Sequence, residues 1–182
     1  MAKAIGMLEY MTVSTGMEAT DLMLKTAEVE LIEAQTVCPG KYIALVTGDL
    51  SSVKAAVEAS KTKYSEKLID TFVLGNPHED IFPAVYGTAA VENPSALGIF
   101  ETYSAASIIV AADAAAKTAA VKLIELRIAR GMCGKSYMTL TGEVAAVTAA
   151  IERAKAEIGA DGMFLDSSVI AGPSEKLWKS IV

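Results

Sequence analysis

Residues 21–33, DLMLKTAEVELIE, recur later in the chain as residues 113–125, DAAAKTAAVKLIE. At the same spacing, residues 4–9 (AIGMLE) match residues 96–101 (ALGIFE). The spacing grows by two residues at the loop where Gly40 matches Gly134, and again near the ends, where Asp70 matches Asp166. Matches in the same order over nearly the whole chain indicate two copies of one small domain.

Each copy carries the same predicted order of elements. The first copy gives an apolar strand, a helix, two strands joined by a glycine-containing loop, a second helix and a last strand. In residue numbers, the strands are expected at about 3–12, 29–37, 41–47 and 67–75, and the helices at about 15–27 and 49–63. This is the β-α-β-β-α-β arrangement, so the sequence predicts two tandem ferredoxin-like α+β domains.

The boundary between the copies is predicted near residue 92. Residues 87–95, GTAAVENPS, contain glycine, an Asn-Pro pair and serine, and they lack apolar periodicity. The expected domains are therefore residues 1–90 and 93–182.

In the second copy, the segment SAASIIVAADAAAKTAA is almost all small residues. It suits either the close approach of another backbone or simply the helix preference of alanine.

Composition excludes several classes of function. The chain has 16 basic and 22 acidic residues, a net charge of -6, and no dense basic cluster, so a nucleic-acid partner is not expected. No apolar run approaches the roughly 20 residues that span a bilayer, and we expect a cytoplasmic protein without a membrane partner.

No P-loop, dinucleotide fingerprint, C-x-x-C or H-E-x-x-H is present, and the single histidine, His78, has no partner spaced for a catalytic triad. The sequence therefore predicts no enzyme.

The two cysteines are the side chains best suited to bind a metal or to react. In a reducing compartment, Cys38 and Cys133 are expected to be free thiols, metal ligands or buried small residues rather than a disulfide. Each lies in the glycine-containing loop of its copy.

Four spaced segments in both copies resemble the bacterial microcompartment domain. They are the A-x-G-x-x-E opening, the D-x-x-x-K-x-A-x-V helix, the short loop before Gly40 and Gly134, and the Gly-Asp or Gly-Glu pair at residues 48–49 and 142–143. Tandem members of this family in unpermuted order form trimers that imitate a hexamer. The resemblance therefore implies a homotrimeric tile in a microcompartment shell, with other shell proteins as lateral partners. The family's Pro-Arg-Pro-His-like ending is replaced by Gly75-Asn76-Pro77-His78 here.

The resemblance also implies a central pore at the two loops. Its predicted lining is Pro39, Gly40, Met132, Cys133 and Gly134. The segment TVCPGK, residues 36–41, resembles the loop of tandem shell proteins of the propanediol-utilisation compartment, in which a [4Fe-4S] cluster lies at the pore. By this resemblance Cys38 is the cofactor and metal ligand, three thiolates meet in a trimer, and an encapsulated redox enzyme becomes a further partner.

Two other assignments follow from aligning the copies. With Gly40 set against Gly134, Cys38 matches Met132, so Cys133 is predicted not to be a ligand. Lys25 and Lys117 occupy the position that in this family lies at the edge of the tile. Simple solvation of each lysine is the alternative.

Three functions remain open on the sequence. The first is a shell tile with a redox cluster in its pore, and the second is a tile whose pore conducts a small metabolite. The third is a soluble ferredoxin-like binding protein or enzyme. Only Cys38 separates the first two, whereas the tandem match disfavours the third.

Overall fold

A computed structural model of the protein describes residues 4–159 and 162–181. Both copies follow the predicted order of elements. The first copy comprises β1 (Ala4–Tyr10), α1 (Val13–Thr26), β2 (Val29–Val37), β3 (Lys41–Gly48), α2 (Leu50–Lys63), a short 3-10 helix (Ser65–Lys67), β4 (Leu68–Leu74) and α3 (Ile81–Val85). The second comprises β5 (Ala96–Thr102), α4 (Ala105–Thr118), β6 (Val121–Arg127), β7 (Ser136–Gly142), α5 (Val144–Ile158), β8 (Phe164–Ile170) and α6 (Glu175–Ile181). The α+β fold predicted from the repeat is confirmed, whereas the domain bounds near residue 92 stay a prediction.

Each copy forms a four-stranded antiparallel sheet. The strand orders are β2-β3-β1-β4 and β6-β7-β5-β8, so the first strand of each copy is paired on both sides. All residues of β1 are buried, as expected of a central strand whose faces are both covered. Two glycines permit this packing: a Cβ on Gly6 would lie 2.7 Å from Val53, and one on Gly16 of α1 would lie 2.4 Å from the Tyr42 ring.

The chain divides into two compact units that do not follow the repeat everywhere. The first unit extends to Pro77 and also takes in Ser104–Ser107 and Ala129–Lys135. The second contains His78–Tyr103, Ile108–Ile128 and the chain from Ser136 onward. The loop before β7 and the start of α4 therefore belong, with their contacts, to the first unit.

Tyr10 is the last residue of β1 and lies in the hydrophobic core of the first unit. Its side chain is fully buried, and its hydroxyl donates a hydrogen bond to the Ser60 carbonyl oxygen at 3.0 Å. Its ring meets Tyr64 edge-on, with 6.3 Å between the centroids. Burial, followed by the electrostatic effect of Tyr64, raises the pKa of Tyr10 to about 12 because both disfavour the phenolate.

This shift predicts a loss of stability at alkaline pH. In the unfolded chain Tyr10 ionises near its usual pKa of 10.0, whereas in the fold it stays neutral until about 12. Its contribution is therefore complete below pH 10 and is lost as the pH rises from 10 to about 12. Tyr137, whose pKa burial and a hydrogen bond to Glu125 also raise to about 12, contributes in the same window.

We expect Tyr10→Phe to flatten, without abolishing, the fall in melting temperature between pH 10 and 12. The measurement is thermal unfolding followed by circular dichroism across that range. Tyr86→Phe is the control, because it removes the same hydroxyl from a side chain that is 53% exposed. A Tyr10→Phe profile parallel to that of the wild type would show that this phenol does not control alkaline unfolding.

Candidate functional site: two loops around Cys38

The first loop, residues 38–40, joins β2 to β3 in a tight turn. The Gly40 N–H donates to the Val37 carbonyl at 2.9 Å, and Gly40 has a φ of 97°, which a residue with a side chain rarely adopts. The peptide bond between Cys38 and Pro39 is cis. Cys38 is a free, partly exposed cysteine at the first central position of this turn.

The second loop, residues 128–135, is longer and is held in left-handed conformations. The Lys135 N–H donates to the Met132 carbonyl at 3.1 Å. Cys133 and Gly134 lie between them with φ values of 53° and 85°, the two positive values that a type I′ turn requires. Cys133 is a free, exposed cysteine, and it too is the first central residue of its turn.

The two loops contact each other within the first unit. The Cys38 N–H donates to the Ala129 carbonyl at 3.1 Å. A Cβ on Gly134 would lie 3.1 Å from the Cys38 carbonyl oxygen and 3.1 Å from Pro39 Cδ. Gly134 is therefore required both for its φ and for the close approach of the second loop to the Cys38–Pro39 backbone.

An ion pair fastens the second loop to β2. Arg130 bonds to Glu33, and the Gln35 side-chain amide bonds to the same carboxylate. The Glu33 side chain is 12% exposed, whereas that of Arg130 is 53% exposed. Glu33 Oε2 is buried and has no hydrogen-bond partner among the described residues. The pair thus holds a cation at the surface beside Cys38 and leaves a carboxylate oxygen that can accept another donor.

Both loops line one solvent-open cavity of about 400 Å³. Its lining residues are Thr36, Val37, Cys38, Pro39, Gly40, Arg130 and Gly131. The structure therefore brings Cys38, Pro39 and Gly40 together with the second loop. Met132, Cys133 and Gly134 belong to that loop but not to the lining of this cavity.

Sequence alignment of the copies and turn geometry pair the cysteines differently. Setting Gly40 against Gly134 matches Cys38 with Met132, but the hydrogen-bonded turns match Cys38 with Cys133. The turn of the longer loop is displaced by one residue because its positive φ values fall on Cys133 and Gly134. Sequence reasoning also missed Arg130, although a basic residue beside Gly131 in the predicted pore loop was an available signal.

The two predicted edge lysines lie near the ends of equivalent helices. Lys25 Nζ is 2.6 Å from Asp21 Oδ2, and both side chains are largely exposed. Lys117 Nζ is 2.7 Å from the buried carboxylate of Asp113, which also accepts the His78 N–H at 2.8 Å. Each lysine therefore forms an i,i+4 ion pair within its own helix, a contact that stabilises a helix by about 0.2–0.5 kcal/mol.

One chain alone does not assemble a set of metal ligands at this site. Within residues 4–159 and 162–181, no three His, Cys, Asp or Glu side chains lie close enough to hold a metal ion together. Across the same residues, none of the helices has the length and apolar character needed to traverse a bilayer.

Comparison with known proteins places the chain in a family. The sequence model of the BMC domain matches residues 4–77 and 96–173. The chain is 39% identical over its full length to the bacterial microcompartment shell protein PduT of Citrobacter freundii, covering 99% of that protein.

Solved structures agree with this match. A crystal structure of a microcompartments protein from Desulfitobacterium hafniense superposes with a TM-score of 0.86 and 43% identity, covering 98% of this chain and 99% of that one. A fused permuted hexameric shell protein of the RMM microcompartment shares the fold, with a TM-score of 0.69, 22% identity and 87% and 84% of the two chains covered. The chain therefore belongs to the BMC-domain family as a tandem-domain shell protein of bacterial microcompartments, a structural component rather than an enzyme.

Proposed function

We propose that three chains form a ring-shaped shell tile whose centre is built from the Cys38 loops, and that a [4Fe-4S] cluster bound there serves electron transfer or cluster delivery across the shell. The observation that carries the proposal is the partly exposed Cys38 thiol on the lining of a cavity formed by two contacting loops. A residue beside a threefold axis occurs three times around one point, so one thiol per chain becomes three.

The donor set fits such a cluster only in the assembled tile. A [4Fe-4S] cluster is usually held by four cysteine thiolates. Three copies of Cys38 supply three, which leaves one iron for a non-protein ligand. Cys133 is the weaker candidate, because it is exposed and does not line the cavity.

The surroundings of Cys38 suit a negatively charged group. Arg130, whose side chain is 53% exposed, lines the same cavity and would offset the charge of thiolates. Gly40 and Gly131 contribute lining without side chains, which leaves room beside the sulfur. When bound, the cluster would supply one-electron redox chemistry, while the residues of this chain hold it, balance its charge and control its exposure to solvent.

A cluster-free pore for small anions is the second candidate, and Arg130 favours it, since rings of Arg or Lys select anions in pores. Protein purified without oxygen distinguishes the two functions. The cluster proposal predicts a brown protein with visible absorption that bleaches in air. A colourless protein with no iron, before and after reconstitution with iron and sulfide, would leave the anion pore as the function.

The edge lysines predict lateral assembly. Shell proteins of this family assemble with other shell proteins, and a long cationic side chain on the rim can bond to carbonyl oxygens of a neighbouring tile. We expect Lys25→Ala combined with Lys117→Ala to abolish extended sheets in electron micrographs while the tile keeps its mass in light scattering. The control is Lys61→Ala combined with Lys63→Ala, which removes two other exposed lysines. Sheets from the Lys25/Lys117 variant under wild-type conditions would disprove the edge assignment.

A further inference from the structure

The ion pair between Arg130 and Glu33 presents one of its two charges to the cavity beside Cys38. Arg130 lines the cavity together with Cys38, and its side chain is 53% exposed. Glu33 lies on β2, its side chain is 12% exposed, and it does not belong to the lining. The pair is neutral as a whole, but the space beside the Cys38 sulfur meets its cation rather than its carboxylate.

In the second copy of the repeat, the equivalent glutamate is paired within its own sheet. Glu125 Oε1 accepts a hydrogen bond from Arg127 at 2.8 Å, and its Oε2 accepts one from the Tyr137 hydroxyl at 2.5 Å. Arg127 and Tyr137 are direct partners on the neighbouring strands β6 and β7. Both oxygens of Glu125 are therefore satisfied by residues of the sheet.

The first copy lacks both of these donors. Gln35 and Ile43 occupy the positions that correspond to Arg127 and Tyr137. The neutral Gln35 amide and the Arg130 guanidinium both donate to Oε1 of Glu33, whereas Oε2 has no hydrogen-bond partner among the described residues. The counter-charge of this glutamate thus comes from the longer second loop, at the wall of the cavity, instead of from the sheet.

Removing either charge alone leaves the other unbalanced beside the cavity. Without Arg130, Glu33 keeps a largely buried negative charge whose remaining partner is the neutral Gln35 amide. Without the charge of Glu33, the Arg130 guanidinium acts on the cavity undiminished. The two changes therefore alter the electrostatic potential at the same place in opposite directions.

We propose that the cation of Arg130 raises the reduction potential of the cluster at Cys38, and that Glu33 limits this effect. This role rests on the cluster of the proposed function and adds the residues that set its redox behaviour. Each electron taken up at the site adds one negative charge and changes no bond, so a neighbouring cation stabilises the reduced form. Net charge is one of the properties that set the potentials of iron–sulfur clusters.

Redox titration of anaerobically reconstituted protein tests this role, with dithionite as the source of the electron. We expect Arg130→Gln to lower the midpoint potential and Glu33→Gln to raise it. Arg130→Lys keeps the charge, so its potential should lie closer to that of the wild type than the potential of Arg130→Gln does. The matched control is Arg153→Gln, which breaks another Arg–Glu pair, with Glu157 on α5, and should leave the potential unchanged.

The sign of the two shifts decides the outcome. Shifts in the same direction for Arg130→Gln and Glu33→Gln, or no shift in either, would overturn the proposed role, because a change of loop structure does not reverse sign with charge. Iron assays separate this failure from failure of the proposed function. A wild type that holds the cluster at a potential insensitive to both charges keeps the function and rejects the role of Arg130.

A wild type that takes up no iron rejects both the cluster and this role. If Arg130→Gln retains no iron, Glu33→Gln provides the remaining test. A rise in its potential supports the role of the Arg130 cation, and a fall or no change rejects it.

Discussion

Cys38→Ser is expected to lose all the iron that anaerobic reconstitution introduces, whereas the wild type and Cys133→Ser retain about four irons per three chains. The reason is the position of the two thiols. Cys38 lines the cavity beside Arg130, whereas Cys133 projects from an exposed turn that does not line it. Serine offers a hydroxyl in place of a thiolate and is a poor ligand for an iron–sulfur cluster, so losing three thiolates at once removes every protein ligand.

Iron and sulfide assays on matched preparations measure this effect. Both variants must show the wild-type mass in light scattering, so that a loss of iron is not a loss of assembly. Equal iron in the wild type and Cys38→Ser would contradict the assignment. Loss of iron in Cys133→Ser but not in Cys38→Ser would assign the iron ligand to the second loop. Cys133 is the main alternative ligand because both cysteines are the first central residues of their turns.

Lys41→Met is expected to destabilise the fold by about 3–5 kcal/mol, the usual cost of removing one member of a buried ion pair. Glu9 is fully buried and accepts hydrogen bonds from Lys41 Nζ at 2.9 Å and from the Ala105 N–H at 2.8 Å. The variant keeps only the second of these two bonds. In a chain of this size the loss corresponds to a fall in melting temperature of about 10 °C. Lys61→Met, which changes an exposed lysine on α2, should stay within about 0.5 kcal/mol of the wild type.

A double mutant separates charge from packing at the same position. Glu9→Gln removes the buried charge but keeps an oxygen that can accept the Ala105 N–H. Lys41→Met combined with Glu9→Gln should therefore be more stable than Lys41→Met alone. The check is thermal unfolding at one fixed protein concentration, because assembly also raises the apparent stability. A Lys41→Met variant as stable as Lys61→Met would show that the pair does not contribute.

The order of elements was predictable because the repeat supplies each signal twice. The second helix was predicted from residue 49, and α2 begins at Leu50 with an extended Asp49 at its N-cap. The first strand was predicted to run to residue 12, but β1 ends at Tyr10 because α1 already begins at Val13. Local signals predict that such an element exists more sharply than they predict where it ends.

The geometry of the site depends on features that residue type does not encode. Ala129 and Cys133 adopt positive φ values that are uncommon for residues with side chains, and these values set the turn of the second loop. The pair between Glu33 and Arg130 joins residues that lie far apart in the sequence. The resemblance of the loop could place Cys38 at a site, but residue types alone do not predict the approach of Gly134 to Cys38.

Native mass spectrometry of the anaerobically reconstituted protein counts the chains and the cluster in one particle. If the Cys38 loops of three chains hold the cluster, the wild type should give one species with the mass of three 19.0 kDa chains plus a single cluster of four irons and four sulfides. Cys38→Ser should give a particle with the mass of three chains alone. A monomer, or a three-chain particle that never takes up the cluster mass, would contradict a cluster held by three Cys38 loops.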